Sequence, residues 1–274
     1  MPHPSRSPAE IPSEEIGIGA QRLRVSVQGS GRPLLLIMGF AGQMELWAPL
    51  IAQLPGYQTV AFDAPGTGHS RTSPWPLTIG GLASLTDRLC ERLGFPTLDV
   101  IGYSFGGIVA QQLAAAHPKR VRRLVLASTS PGLGSLPGFR AALRLLTVPP
   151  WSYRSAGFLP TAAAIFGGSL RKDPASAARF LPTRVPHWRG WAHQLFAVNT
   201  YSSLPVLPFI RQPTLVMAGD DDPLVPLLNA RLITQLLPTA QLEVVQGGGH
   251  LMLLERAPEA ARSIRAFLEA SAGS

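Results

Sequence analysis

A mostly parallel β-sheet wrapped by helices, with a helical segment inserted late in the chain, is the architecture that three observations predict. Short apolar runs bounded by Gly and Pro alternate with stretches of helical periodicity. That rhythm breaks once, between residues 131 and 208, and then resumes. Finally, 274 residues that are 46% hydrophobic and 15% charged suffice for one large core without a disulfide or metal staple. The same composition excludes global disorder. No apolar run approaches the ~20 residues of a membrane span. The N-terminal Met1–Glu10 stretch lacks an apolar core, so no secretory signal is expected. Cys90 is the only cysteine, which rules out an intramolecular disulfide and fits a cytoplasmic protein.

Residues 1–20 are rich in Pro, Ser and Glu and read as a loose tail. Arg22–Val27 alternates as a half-buried strand should, which fits an antiparallel strand at the start of the sheet. Pro33–Met38 is continuously apolar, as expected of a strand covered on both faces. Further strands are expected at 59–62, 98–101, 121–127, 214–218 and 242–245. Helical periodicity covers about 44–54, 80–93, 106–117, 226–236 and 258–270. Residues 21–130 and 209–274 therefore read as one α/β core. The intervening 131–208, with Pro149-Pro150, Gly167-Gly168 and three Trp, reads as an inserted helical cap.

Charge is unevenly placed. The chain carries +8. Between Pro131 and Ile210 eight basic residues face the single acid Asp173, so this segment holds +7, and sixteen bases against fifteen acids leave +1 elsewhere. The segment is heavily apolar and has no recognised nucleic-acid motif, so nucleic acid is not the expected partner.

Gly102-Tyr103-Ser104-Phe105-Gly106 is the only Gly-x-Ser-x-Gly of the sequence, and it stands between an expected strand and an expected helix. That context places Ser104 on a sharp, strained elbow with its hydroxyl exposed, and the flanking glycines let the turn pack closely. A serine hydroxyl needs a general base held by a third group. Of six histidines, His3 lies in the tail, and His69 follows the turn Pro65-Gly-Thr-Gly68. His117 ends a helix, and His187 and His193 fall in the inserted segment. His250 alone follows the last expected strand through a flexible Gly247-Gly-Gly249 turn, where a base is required. The acid is expected after the strand at 214–218, within Asp220-Asp221-Asp222, and spacing alone leaves the three equivalent. For the oxyanion, one donor is the Phe105 amide, and the second is expected from Gly39-Phe40-Ala41-Gly42, with the Phe40 amide as candidate. Asp63–Ser70 lacks the Lys-Ser/Thr ending of a phosphate loop and reads as a tight turn.

Gly102–Gly107, Gly219–Pro226 and Gly247–His250, in this order, resemble the α/β-hydrolase superfamily. Four stretches, Gln212–Pro226, Pro238–Leu242, Ile165–Pro174 and Gln194–Phe196, are similar to intracellular poly(3-hydroxyalkanoate) depolymerases of the medium-chain-length type. The similarity runs over roughly residues 30–270. It implies an α/β-hydrolase fold with a cap, and it selects Asp222, three residues beyond the glycine that closes the strand, as the acid. Phe105 stands where the family carries Trp, and Met38 where relatives carry His or Asn; the acyl-transfer chemistry is unaffected. Relatives that open epoxides or carbon–halogen bonds use an Asp nucleophile, which Ser104 excludes.

The expected reaction is hydrolysis of an aliphatic ester through an acyl-enzyme on Ser104, with no metal or organic cofactor. The substrate is a polyester or, alternatively, a small soluble ester or lactone; a non-catalytic granule- or partner-binding role is the third reading. Trp151, Phe158, Phe166, Trp188, Trp191 and Phe196 are expected to line an acyl channel. The basic, Trp-rich segment also suits an anionic amphipathic surface such as a coated polymer granule, with Arg171 and Lys172 as its first candidates. No residue pattern fixes the oligomeric state.

Overall fold

The computed structural model describes residues 11–136, 155–180, 184–185 and 187–270. Among them, eight strands form one sheet: β1 (Glu14–Ile18), β2 (Gln21–Gln28), β3 (Arg32–Ile37), β4 (Tyr57–Phe62), β5 (Leu98–Tyr103), β6 (Val121–Ala127), β7 (Thr214–Gly219) and β8 (Ala240–Val245). Their spatial order is β1-β2-β4-β3-β5-β6-β7-β8. β1 and β2 pair antiparallel with their neighbours, and from β4 to β8 every pairing is parallel. This is the mostly parallel, helix-flanked sheet expected from the sequence.

The central strands are apolar throughout because both faces are covered. On β3, Leu35 and Ile37 point into one layer and Leu34 and Leu36 into the other. The first layer is closed by α2 (Ile79–Arg92) and α3 (Phe105–Ala116). The second packs Trp47 and Leu50, the latter on the short α1 (Ala48–Ile51), with the C-terminal helix Ala257–Glu269. Buried Arg123 on β6 ties that helix down: its guanidinium donates to the carbonyls of Phe267 and Ala270 and lies 5.8 Å from the Phe267 ring centroid. Cations are favoured at helix C-termini, where carbonyls lack partners.

One expectation is corrected. Residues 14–18, read as part of a loose tail, form edge strand β1, registered from Glu14 opposite Val25 to Ile18 opposite Gln21. Ile16 and Ile18 fall on one face at the two-residue period of a strand, and burying Ile18 outweighs the polar composition around it. Residues 1–10 lie outside the described residues.

Between β6 and β7 every described element is helical. These are short 3-10 turns together with α4 (Leu159–Phe166) and α5 (Trp188–Asn199). The segment leaves and returns side by side: Leu133 N–H donates to Tyr201 O (2.7 Å) and Ser203 N–H to Pro131 O (2.8 Å).

The sheet order reverses beside β3, whose sequence neighbour β4 lies on one side and β5 on the other. Loops leaving the C-terminal ends of β3 and β5 therefore diverge around a crevice, the usual ligand position in such sheets. Three non-glycine residues in the described chain have positive φ, and all follow central strands: Ala41 (55°) after β3, Ser104 (53°) after β5 and Ser128 (46°) after β6.

Truncating Arg123 leaves the last carbonyls of the C-terminal helix without their charged donor. Arg123→Ala is expected to cost about 2–3 kcal/mol of stability, read as a lower denaturant midpoint at unchanged slope.

Candidate active site

Ser104 is the single residue between β5 and α3, at φ 53° and ψ −119°. Its N–H donates to Ala127 O (2.9 Å), and its carbonyl accepts Gly107 N–H (2.9 Å) and Thr129 Oγ1 (2.7 Å). The turn closes this tightly because two side chains are missing. A Cβ on Gly106 would overlap the carbonyl oxygen of Ile37, and one on Gly102 would lie 2.6 Å from the Ala110 Cβ.

The His250 ring reaches both partners. Its Nδ1 lies 2.8 Å from Asp222 Oδ2, and its Nε2 lies 3.0 Å from Ser104 Oγ. An ionised carboxylate only accepts, so Nδ1 carries the proton and Nε2 accepts from the serine hydroxyl. Both His250 and Asp222 are buried. The imidazole is fixed from further sides: its backbone N–H donates to Phe166 O (2.6 Å), its carbonyl accepts the Tyr103 hydroxyl (2.9 Å), and the Phe166 ring stacks on it at 6.1 Å and 14°. Burial pushes the Tyr103 hydroxyl well above the ordinary tyrosine range, with the charges of Asp222 and Glu255 adding to it. Tyr103 is thus a neutral donor.

The aspartate triplet, equivalent by spacing, divides three ways. Asp220 accepts the Gly247 N–H (2.6 Å) and braces the histidine loop. Asp221 accepts Gly168 N–H (2.9 Å) and Arg171 Nε (2.9 and 3.1 Å to its two oxygens), and the guanidinium holds its carboxyl below the usual range. Asp222 turns inward: Oδ1 accepts the N–H groups of Leu224 and Val225 at 2.9 Å each, which leaves Oδ2 for His250.

Backbone donors surround the serine. Phe105 is the first residue of α3, where N–H groups have no intrahelical acceptor. In the loop after β3, Gly42 N–H donates to Gly39 O (3.0 Å), and Ala41 N–H donates to Oε1 of buried Gln194 (2.7 Å). The Phe40 N–H meets no acceptor among the described residues. Such an arrangement can remove the proton of a hydroxyl at its moment of attack and offers amides for the negative charge that then develops on a carbonyl oxygen.

Ser104 and His250 open onto a cavity of about 100 Å³. Its walls are apolar, built from Met38, Phe40, Leu46 and Leu224 with Phe158, Phe166, Phe180, Leu251 and Leu254. Phe158 and Phe166, two of the aromatics expected to line an acyl channel, are in this wall. Trp188 and Phe196 are not: they are 64% and 44% exposed. The reason is helical phase. Gly190, Gln194 and Ala197 are the buried stripe of α5, spaced four and three residues apart, and Trp188 lies on the opposite face. Trp191, on the flank, meets the Phe40 ring edge-on at 5.8 Å. Trp151 lies outside the described residues. The sequence reading missed Gln194, Tyr103 and the leucines after His250; helical phase would have flagged Gln194, while the Tyr103 contact carries no local signal.

The profile described as alpha/beta hydrolase fold matches residues 32–257. A poly(3-hydroxyalkanoate) depolymerase of Ectopseudomonas oleovorans is 40% identical over 239 residues, 86% of this chain and 84% of that protein. A pimeloyl-[acyl-carrier protein] methyl ester esterase of Stenotrophomonas maltophilia is 29% identical over 90% of this chain and 97% of its own. The crystal structure of the enol-lactonase from Burkholderia xenovorans LB400 superposes with a TM-score of 0.79 at 23% identity, covering 94% of this chain and all of that one.

The elbow tolerates no added atom under the β3 carbonyls. Gly106→Ala is expected to lose about 3 kcal/mol through overpacking, seen as a lower thermal midpoint, whereas Gly80→Ala in the first turn of α2, where an added Cβ would meet only Thr78 Oγ1 at 3.8 Å, stays near wild type.

Proposed function

Because the chain belongs to the alpha/beta hydrolase fold family, we propose that it hydrolyses carboxylic esters through an acyl-enzyme, with Ser104 as nucleophile, His250 as base and Asp222 as the orienting acid. One observation carries this reading: a continuous relay from Asp222 through His250 to Ser104, with steps of 2.8 and 3.0 Å, ends at the floor of an apolar cavity. His250 Nε2 takes the hydroxyl proton as Ser104 Oγ attacks the ester carbonyl. The tetrahedral oxyanion is held by the Phe40 and Phe105 amides. The imidazolium, stabilised by Asp222, returns its proton to the leaving alcohol. Water activated by the same imidazole then cleaves the acyl-enzyme.

The preferred substrate is a poly(3-hydroxyalkanoate). Supporting this, the 40% identity to the depolymerase extends over 86% of the chain, and the cavity wall offers alkyl side chains only apolar contacts. The segment between β6 and β7 acts as a cap, supplying Phe158, Phe166 and Phe180 to that wall. We place the enzyme in the cytoplasm, at the polymer granule. No helix among the described residues is long and apolar enough to cross a membrane. Exposed Trp188 and Phe196 with the exposed cations Lys172 and Arg179 fit a surface of anionic amphipathic character. Arg171, the other first candidate, is engaged by Asp221 and is a poor probe of docking.

Ser104→Ala is expected to lower kcat on a p-nitrophenyl ester by about 10⁴-fold or more, and Asp222→Asn by roughly 10⁴-fold; a Ser104→Ala protein of near wild-type rate refutes the assignment. Clearing of a medium-chain polymer latex by the wild type, lost in Ser104→Ala, separates a depolymerase from an enzyme confined to soluble esters. Charge reversal at Lys172 and Arg179 is expected to weaken granule binding at low salt while leaving soluble-ester turnover intact. Binding indifferent to both salt and reversal overturns the docking reading.

A further inference from the structure

A short stretch of the inserted segment, Phe166 to Arg171, touches both loops that bring the acid and the base to Ser104. Phe166 gives its carbonyl to His250 N–H (2.6 Å) and its ring to the imidazole face. Gly168 N–H and Arg171 Nε together bind the Asp221 carboxylate, one residue before Asp222. Ser169 hydrogen-bonds Glu255, five residues after His250, where partial burial raises the Glu255 carboxyl. The fit leaves no slack: a Cβ on Gly249 would overlap the Phe166 carbonyl oxygen.

We propose that this stretch is a positioning element for the His250–Asp222 pair, and that Arg171, acting through Asp221, is a positioning residue. The inference rests on the reading of Ser104, Asp222 and His250 as the catalytic set. Asp222 binds its own turn and the imidazole; the Asp221 backbone is tied to the histidine loop by its N–H to Gly248 O (2.9 Å), while the Asp221 side chain is held from outside, by the inserted segment. Without the guanidinium, the Asp221 carboxylate keeps only the Gly168 amide, and its charge beside Asp222 is no longer compensated. Two consequences follow. The relay loosens, which costs turnover more than ground-state binding. The uncompensated negative charge also favours the imidazolium, so the base titrates at higher pH. Other titratable groups around this corner are Asp220, Tyr103, Glu255 and Arg256, none of which contacts the Arg171 guanidinium. Arg171 and Asp221 are 46% and 40% exposed, so the pair adds little to global stability, and kinetics separate positioning from folding.

The test compares Arg171→Gln, Arg171→Lys, Asp221→Asn and the Arg171→Gln/Asp221→Asn double variant on a soluble ester across pH, with thermal midpoints. Arg171→Gln is expected to lower kcat by about tenfold with KM within about twofold, at nearly unchanged midpoint, and to move the acidic limb of kcat/KM to higher pH. The double variant returns the limb to its wild-type position, because the uncompensated charge is gone, while kcat stays low. Arg171→Lys, which keeps the charge, restores the limb and part of kcat. Wild-type kcat with an unmoved limb in Arg171→Gln overturns the proposal, as does a joint fall of kcat and midpoint with no limb shift. Ser104→Ala run alongside keeps the two readings apart. If it is inactive while Arg171→Gln is normal, only the positioning role fails; if it is active, the catalytic set itself fails.

Discussion

Ser104 occupies a backbone conformation that L-residues resist, φ 53° and ψ −119°, and its contact with His250 depends on its being held there. Such a conformation costs of order 1–3 kcal/mol and persists only where the surroundings over-determine it. Here they do. The Ser104 amide is fixed to β6, its carbonyl takes two donors, and Gly106 lets the first turn of α3 slide beneath the carbonyls at the end of β3. The buried strands on either side supply the rigidity. Ala41 and Ser128, the other strained positions, flank the same crevice, so the distortion is concentrated where the sheet order reverses and nowhere along the outer strands.

Around that fixed hydroxyl, three neighbouring carboxylates show how environment rather than residue type assigns a role. Asp220, Asp221 and Asp222 have the same chemistry and successive positions. The turn that follows β7 sends them in different directions: one to the histidine loop, one to a guanidinium, one to the imidazole. Only Asp222 is both buried and supplied with two backbone donors on the oxygen that His250 does not use. A carboxylate so placed presents one free oxygen to the imidazole in a fixed direction, which is what a residue that orients a histidine requires.

The same contrast explains what could be read in advance. The parallel strands, the elbow and the histidine loop announce themselves through local rules: continuous apolar runs, a Gly-x-Ser-x-Gly between strand and helix, glycines before a histidine. Strand β1 was hidden because its signal is two isoleucines in a Glu- and Pro-rich stretch, and only pairing with β2 gives them a face to bury. Asp222 could be separated from its neighbours by resemblance but not by spacing, since the distinction arises from partners 50 and 28 residues away. The aromatic wall was half legible. Phe158 and Phe166 lie on it, but Trp188 faces outward on a helix whose small residues, Gly190 and Ala197, occupy the buried stripe. Gly190 packs against Gly66 so closely that either Cβ would intrude; size, not hydrophobicity, decided which face turned inward.

That close approach also bears on the basic charge of the segment. Several of its bases find partners on the core. Arg171 reaches Asp221 after β7, Arg184 reaches the His69 ring, and Arg189 donates to the Pro74 carbonyl, both in the loop after β4. Gln194 adds the loop after β3. A planar guanidinium serves carboxylates and carbonyls equally well through several fixed donors, and this suits contacts with loops that present mostly backbone. The segment is therefore fastened at three places around the crevice, and lifting it as one body would break all of them together while withdrawing the Phe166 carbonyl from His250. Access to Ser104 is easier to reconcile with local movement of cavity-wall side chains than with a rigid swing, because only the former leaves Asp222 and His250 in register with Ser104.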